Sequence, residues 1–202
     1  MNANHWIHEE EARNRGYRLI AGIDEAGRGP LAGPVVASAV ILPPGFNTTG
    51  IDDSKKLTPK KRAFLYDVIF DGAVAVGVGI VHEAKIDELN ILRASLLAMD
   101  RAVARLPLRP DYLLIDGPFP ITTDLPQELL PKGDARSVSI AAASIIAKVT
   151  RDRLMETYHD AYPQYGFLRH KGYPTRDHRE AIRVFGACPI HRRSFKGVKE
   201  YL

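Results

Sequence analysis

An α/β fold is predicted by three observations. Residues 20–42 hold two apolar runs on either side of a short polar, glycine-rich segment, the pattern of strand, turn, strand. Residues 112–117, Tyr-Leu-Leu-Ile-Asp116-Gly117, read as a short buried strand ending in a carboxylate and a glycine. Between them, Asn90 opens a helical pattern that runs to Leu106, the crossover that parallel pairing of the two strands requires. Asp116 then reaches the same sheet edge as Asp24, and ligands gather at the carboxyl ends of strands in α/β folds.

The 202 residues suit one large domain, with 45% hydrophobic content to fill its core. Net charge is +4, a mild excess that hints at a polyanionic partner without identifying one. A single cysteine, Cys188, excludes an internal disulfide and fits a reducing compartment. Residues 1–15 are charged and amphipathic, so no signal peptide is expected, and no apolar run reaches the length of a membrane span.

Taken in order, residues 3–15 read as a helix closed by Gly16, with Trp6 and Ile7 as packing anchors. Asp24 and Glu25 follow at the end of the first strand. Neighbouring strand residues point to opposite faces, so the pair serves one site only if the backbone bends there. Arg28, set between Gly27 and Gly29, favours a site over a solvated acidic turn. Thr58-Pro59 is a helix start, with Phe64, Leu65, Val68 and Ile69 as its apolar face. Lys60, Lys61 and Arg62 stand in its first turn, where the helix dipole disfavours cations, and Ser54, Lys55 and Lys56 extend the cluster. A bound phosphate resolves that conflict; a solvated charge run is the competing reading.

Residues 73–81 alternate valine and isoleucine with alanine and glycine, a strand whose small face admits a close neighbour. In the 90–106 helix, Leu92, Leu96, Met99, Val103 and Leu106 form a core stripe. Lys132-Gly133-Asp134 precedes a long helix from Ser137 to about Tyr158. Ser137, Ala141, Ser144, Lys148 and Arg151 share one side of it, a composition suited to lying beside a phosphate backbone. The segment 162–173 mixes aromatics with cations, including His170, Lys171 and Tyr173, and suits stacking on a base or sugar plus a phosphate contact. Thr175 caps a last helix, and residues 191–196 close the chain on a second basic cluster.

Four carboxylates, Asp24, Glu25, Asp116 and Asp134, each stand at a strand end or beside glycine. Like charges packed together need a cation or a shared proton. An all-oxygen set calls for Mg²⁺ or Mn²⁺, whereas one cysteine and scattered histidines disfavour zinc. Surrounding cations without a P-loop point to phosphodiesters rather than free nucleotides. Two-metal hydrolysis is the chemistry this set supports. A strand transferase, another metal-dependent nuclease, or a binding module with structural carboxylates are the alternatives.

The run from Asp24 to Pro34, Asp-Glu-Ala-Gly-Arg-Gly-Pro-Leu-Ala-Gly-Pro, closely resembles the signature of bacterial type 2 ribonuclease H, or ribonuclease HII. Type 3 relatives carry another residue where Arg28 stands. Further matches in order are Asp53-Ser54-Lys55-Lys56-Leu57, Ile115-Asp116-Gly117, Lys132-Gly133-Asp134, residues 139–152, Tyr165-Gly166-Phe167, His170-Lys171-Gly172-Tyr173 and His191-Arg192-Arg193-Ser194-Phe195. Gly197 departs from the pattern, where proline is expected. The resemblance implies a ribonuclease H-like fold, a mixed central sheet flanked by helices. It also implies that residues 1–202 form one catalytic domain, with a small C-terminal helical part from about 160. It implies that Asp24, Glu25, Asp116 and Asp134 bind up to two divalent ions, the first three as the firmest ligands. Gly27, Arg28, Gly29 and Tyr173 then read a 2′-hydroxyl, while Ser54, Lys55, Lys56, Ser144, Lys148, Arg151, His170 and Lys171 hold phosphates. The implied activity is cleavage on the 5′ side of ribonucleotides in RNA–DNA hybrids or duplex DNA, by a cytoplasmic monomer.

Overall fold

The computed structural model describes residues 5–51, 54–55 and 57–202. Among these residues five strands form one mixed sheet, in the spatial order third, second, first, fourth, fifth along the chain. β1 (Ile20–Ala26) and β2 (Val35–Ile41) pair antiparallel from Ala21↔Ile41 to Ala26↔Val36, and β3 (Ala75–Val81) continues the meander. On its other side β1 pairs parallel with β4 (Tyr112–Asp116), from Ile20↔Tyr112 to Ile23↔Ile115, as the intervening helix requires. β5 (Gln127–Leu130), parallel to β4, and α3 (Glu83–Leu89) are additions to the expected elements.

Helices cover both faces. α4 (Ile91–Ala104), capped by the Asn90 side chain on the Arg93 N–H, lies over β2 and β3. Its contact face is narrower than the expected leucine stripe: Ala94, Ala98 and Ala102 are buried with Met99, while Leu96, Val103 and Leu106 flank them half-buried. Gly77 and Gly79 make this possible, because a Cβ on either would collide with the α4 carbonyls of Ala102 and Ala98. α5 (Val138–Ala161), capped by Ser137, crosses the opposite face over β1 and β2. It joins α2 (Pro59–Gly72) around Leu65, Ile69, Ile145 and Ile146. Thr58 caps α2 through the Lys61 N–H, as its sequence predicts, but Phe64 faces solvent at 66% exposure, so the helix buries only Leu65 and Ile69 fully.

At the start of the chain, α1 spans Ile7–Asn14; residues 3 and 4 of the expected 3–15 helix lie outside the described residues. Ile7 is 47% exposed; the buried face is His8, Glu9 and Ala12, with Glu9 accepting from the Ser137 hydroxyl and the Ser139 N–H. Beyond α5, residues 162–173 are a structured turn rather than an open aromatic loop. Tyr165 and Phe167 are buried with Met155, Ile182 and Ile190 in a separate cluster that α6 (Phe167–His170) and α7 (Arg176–Phe185) enclose. That clustering removes both rings from any stacking role. Tyr173, 42% exposed, is the ring of this segment that stays open.

Candidate active site

The carboxylates converge where β1 outruns its parallel neighbour. The bend expected after Asp24 is not a break in the ladder: pairing with β2 continues to Ala26↔Val36, whereas pairing with β4 stops at Ile23↔Ile115. Asp24, level with Asp116 at the end of β4, and Glu25, one residue beyond it, line a cavity of about 290 Å³ with Asp116, Lys55, Gly27, Arg28, Gly29 and Tyr173. Asp116 is held by the Gly133 N–H at 2.7 Å, which ties the end of β4 to the turn carrying Asp134. Asp24 accepts from the Glu25 N–H at 2.7 Å, and Arg28 reaches Glu25 at 3.2 Å. Lys55 Nζ stands 3.6 Å from Asp134 Oδ2.

Burial pushes the Asp24 carboxyl well above the usual carboxylate range, and the charges of Glu25, Asp116 and Asp134 add to the effect. Glu25 is raised too, by burial first, with Arg28 opposing. Among the described residues, no three His, Cys, Asp or Glu side chains already stand close enough to enclose an ion. The donor set nonetheless fits a hard divalent cation. It is all oxygen, the charges of Glu25, Asp116 and Asp134 raise the proton affinity of Asp24, and among the described residues Glu25 Oε2 is buried with no hydrogen-bond partner.

The segment after Glu25 is held from beneath by two buried arginines. Arg151 donates to the carbonyls of Pro34 (2.9 Å), Ala32 (3.0 Å) and Lys171 (3.0 Å). Arg192 donates to those of Gly33, Gly27 and Arg28. Gly27, at φ +101°, is glycine because a Cβ would strike Arg151, and Gly33, at φ +84°, because it would strike Met155. Further main-chain bonds, Leu31 N–H to Gly172 O and Arg192 N–H to Leu31 O, stitch the segment to the chain's last third.

These contacts correct part of the expected phosphate set. Arg151 is 1% exposed and spends its donors on carbonyls, so it braces the loop and has no free face for a phosphate. Ser144 is buried as well, its hydroxyl bonded to Ala141 O and accepting from the Ser54 N–H at 3.4 Å; it anchors Ser54 instead. His170 uses both ring nitrogens internally, on Tyr165 O and the Gly172 N–H. Arg192 and His191, read as a terminal basic cluster, are buried. Lys56 lies outside the described residues.

The remaining candidates do come together. Lys148 pairs with Asp152 at 2.7 Å, sits 6.0 Å from the Tyr173 ring centre, and has its pKa lowered by burial. Lys148 and Tyr173 also border a second groove of about 580 Å³, lined by Arg62, Arg153, Arg169 and Lys171 and by Asp152 and Glu156, which pair with Lys148 and Lys171. Sequence reasoning missed the histidines that hold Tyr173. The Cys188 N–H donates to His191 Nδ1 (2.9 Å), leaving Nε2 to donate to His178 Nε2 (3.1 Å), whose Nδ1 donates to Tyr173 O (2.9 Å). Burial lowers both histidines to about 4, so the chain of bonds is made of neutral rings.

Comparison with known proteins agrees with this geometry. The family model for Ribonuclease HII matches residues 21–198. Ribonuclease HII of Syntrophus aciditrophicus is 62% identical over 93% of this chain and 89% of its own length. Among solved structures, ribonuclease H2 from Pyrococcus horikoshii superposes with a TM-score of 0.78 at 28% identity, covering 91% of this chain and 97% of that one. The fold extends to Bst-RNase HIII, solved in complex with Mn²⁺, with a TM-score of 0.76 at 22% identity over 94% of this chain and 71% of that one. The chain belongs to the ribonuclease HII family, endonucleases that cleave RNA in RNA–DNA hybrids and remove ribonucleotides from DNA.

Proposed function

We propose that Asp24, Glu25, Asp116 and Asp134 are the catalytic carboxylates and hold up to two Mg²⁺ or Mn²⁺ ions. The observation carrying this reading is the convergence of Asp24, Glu25 and Asp116 on one cavity, with the Asp134 charge felt at Asp24. The family's divalent-metal dependence supports it. Ions bound there supply the charge that lowers the pKa of an attacking water and steadies the departing oxygen. The protein's part is to hold the scissile phosphate against that set and choose which one is cut. Gly27, Arg28 and Gly29 approach the 2′-hydroxyl with little side-chain obstruction. The exposed Tyr173 ring packs on the adjacent deoxyribose, and Lys55, Lys148 and Lys171 meet flanking phosphates, with Ser54 at the cavity wall. Cleavage then falls on the 5′ side of the ribonucleotide and leaves 5′-phosphate and 3′-hydroxyl ends, serving ribonucleotide removal and RNA-primer clearance.

We read residues 1–202 as one catalytic domain whose C-terminal part, from about 160, packs on it through Met155, Phe167 and Leu31. No helix among the described residues is long and apolar enough to cross a membrane, and a cytoplasmic monomer is the proposed working form. The test is a DNA duplex carrying one ribonucleotide, incubated with and without Mg²⁺. Metal-dependent cutting 5′ of the ribonucleotide is expected. Cutting without metal, or products with 5′-hydroxyl ends, overturns the assignment.

A further inference from the structure

Arg192 is fully buried, and among the described residues it has no carboxylate partner within ion-pair distance. A buried guanidinium ordinarily pairs with an acid. Here all three nitrogens are spent on main-chain carbonyls of one loop. Nε and Nη2 donate to Gly33 O at 3.0 and 2.8 Å, Nη2 to Gly27 O at 2.6 Å, and Nη1 to Arg28 O at 3.0 Å. The planar fork therefore grips two consecutive peptide groups, Gly27–Arg28 and Arg28–Gly29.

Peptide planarity turns that grip into a statement about the opposite face. Among the described residues no peptide bond is cis, and a trans peptide points its N–H away from its C=O. Drawing the Gly27 and Arg28 oxygens down onto Arg192 aims the N–H groups of Arg28 and Gly29 the other way, toward the cavity these residues line. Among the described residues neither N–H makes a hydrogen bond, although those of Leu31 and Gly33 in the same loop do, to Gly172 O and Ile190 O. Two adjacent donors are thus left open at the place where a substrate sits.

We propose that Arg192 is a positioning residue for ribonucleotide discrimination: it fixes the two peptide planes so that the Arg28 and Gly29 amides form a paired donor for the 2′-hydroxyl oxygen. The inference rests on the ribonuclease HII reading of the cavity. A site built to hydrogen-bond a hydroxyl discriminates against the analogue lacking it, because its donors are then left without a partner. Lysine at position 192 keeps the charge but lacks the planar fork, so it cannot hold both planes at once.

The experiment measures the dissociation constants of an all-DNA duplex and of the same duplex with one ribonucleotide, in Ca²⁺, for wild type, Arg192→Lys and Arg151→Lys. Their ratio does not depend on the fraction of protein that is folded. Arg192→Lys is expected to lower it by about tenfold, toward one. Arg151→Lys, whose carbonyl partners are Pro34, Ala32 and Lys171 rather than Gly27 or Arg28, is expected to lose thermal stability while keeping the ratio. An unchanged ratio in Arg192→Lys overturns the proposal, including the case where both affinities fall together because the amides serve a phosphate. A wild-type ratio of one overturns the reading of the cavity, and the inference with it. If Arg192→Lys does not fold, hydrogen exchange in the wild type decides. Slowing at Arg28 and Gly29 by the ribonucleotide duplex alone supports the proposal, and equal slowing by both duplexes defeats it.

Discussion

The carboxylate end of the cavity and the glycine loop beside it solve opposite problems. At the first, Asp24 is buried among like charges and Glu25 keeps a buried oxygen without a partner. At the second, Arg151 and Arg192 satisfy the inward carbonyls of Gly27, Arg28, Ala32, Gly33 and Pro34. On the proposed assignment the first region is electrostatically incomplete and would gain stability from a cation; the second has its inward carbonyls satisfied and so keeps its shape, with the Arg28 and Gly29 N–H groups left for a ligand. On the proposed assignment, the difference separates the part that would perform chemistry from the part that would measure the substrate.

Breaking the incomplete end gives the largest effect. Asp24→Asn is expected to lower cleavage on the order of a thousandfold, ~4 kcal/mol in transition-state terms, because a neutral amide is a poor ligand for a hard cation. The same variant should melt higher than wild type in metal-free buffer at neutral pH. The folded pKa of Asp24 is raised, so the folded state holds its proton more tightly and loses stability as pH rises above 3.8. Asparagine abolishes that loss, and its advantage should vanish below pH 3.8. Added Mn²⁺ should raise the melting temperature of wild type more than that of the variant. Equal metal-induced shifts in calorimetry, or near-wild-type turnover, remove Asp24 from the metal site.

The saturated loop responds differently. Arg151→Met strands the carbonyls of Pro34, Ala32 and Lys171, each costing about 1–3 kcal/mol when left unpaired in the interior. A melting temperature lower by roughly 10 °C is expected, with metal still raising it. A drop within about 2 °C would mean that the carbonyls find water, and that the loop is not saturated by Arg151.

The smallest effect concerns the rim. Lys55, with its side chain 78% exposed, should contribute about one phosphate contact. Lys55→Ala is expected to flatten the plot of log affinity against log salt by about one unit, equally for DNA and ribonucleotide-bearing duplexes. An unchanged slope would return Lys55 to a local role beside Asp134.

The carboxylate end was legible in the sequence because its residues sit at the ends of strands marked by their own apolar runs, and Asp116 follows Ile115 directly. The supporting arginines were not. Arg151 stands among Lys148, Asp152 and Arg153, and a helix face of that composition reads as exposed. It is buried by a loop 117 residues away along the chain. Tyr165 and Phe167 failed the same way, since α7, which covers them, lies downstream and leaves no mark on their local sequence. Ile7 was misassigned because eight residues give only two turns, too few to fix the phase of an apolar face. β5 went unseen because Gln-Glu-Leu-Leu carries no β-branched residue and lies at the sheet edge.

The grip of Arg192 on Gly27 spans 165 residues, and on Gly33 it spans 159. Seen as an event in synthesis, the site is assembled from both ends of the chain and finished last. At about 5–20 residues per second, the glycine loop waits roughly ten to thirty seconds after leaving the ribosome before its brace exists. The meander β1–β3 is complete by Val81, so the sheet has its first three strands long before the loop acquires its shape. A chain released before Arg192 would carry every carboxylate and lack the brace that orients the loop beside them. Contacts of such long sequence separation are also the slowest to form on refolding. On the proposed assignment, the carboxylates that would cut and the brace that would select the place are made at different times in the life of the molecule.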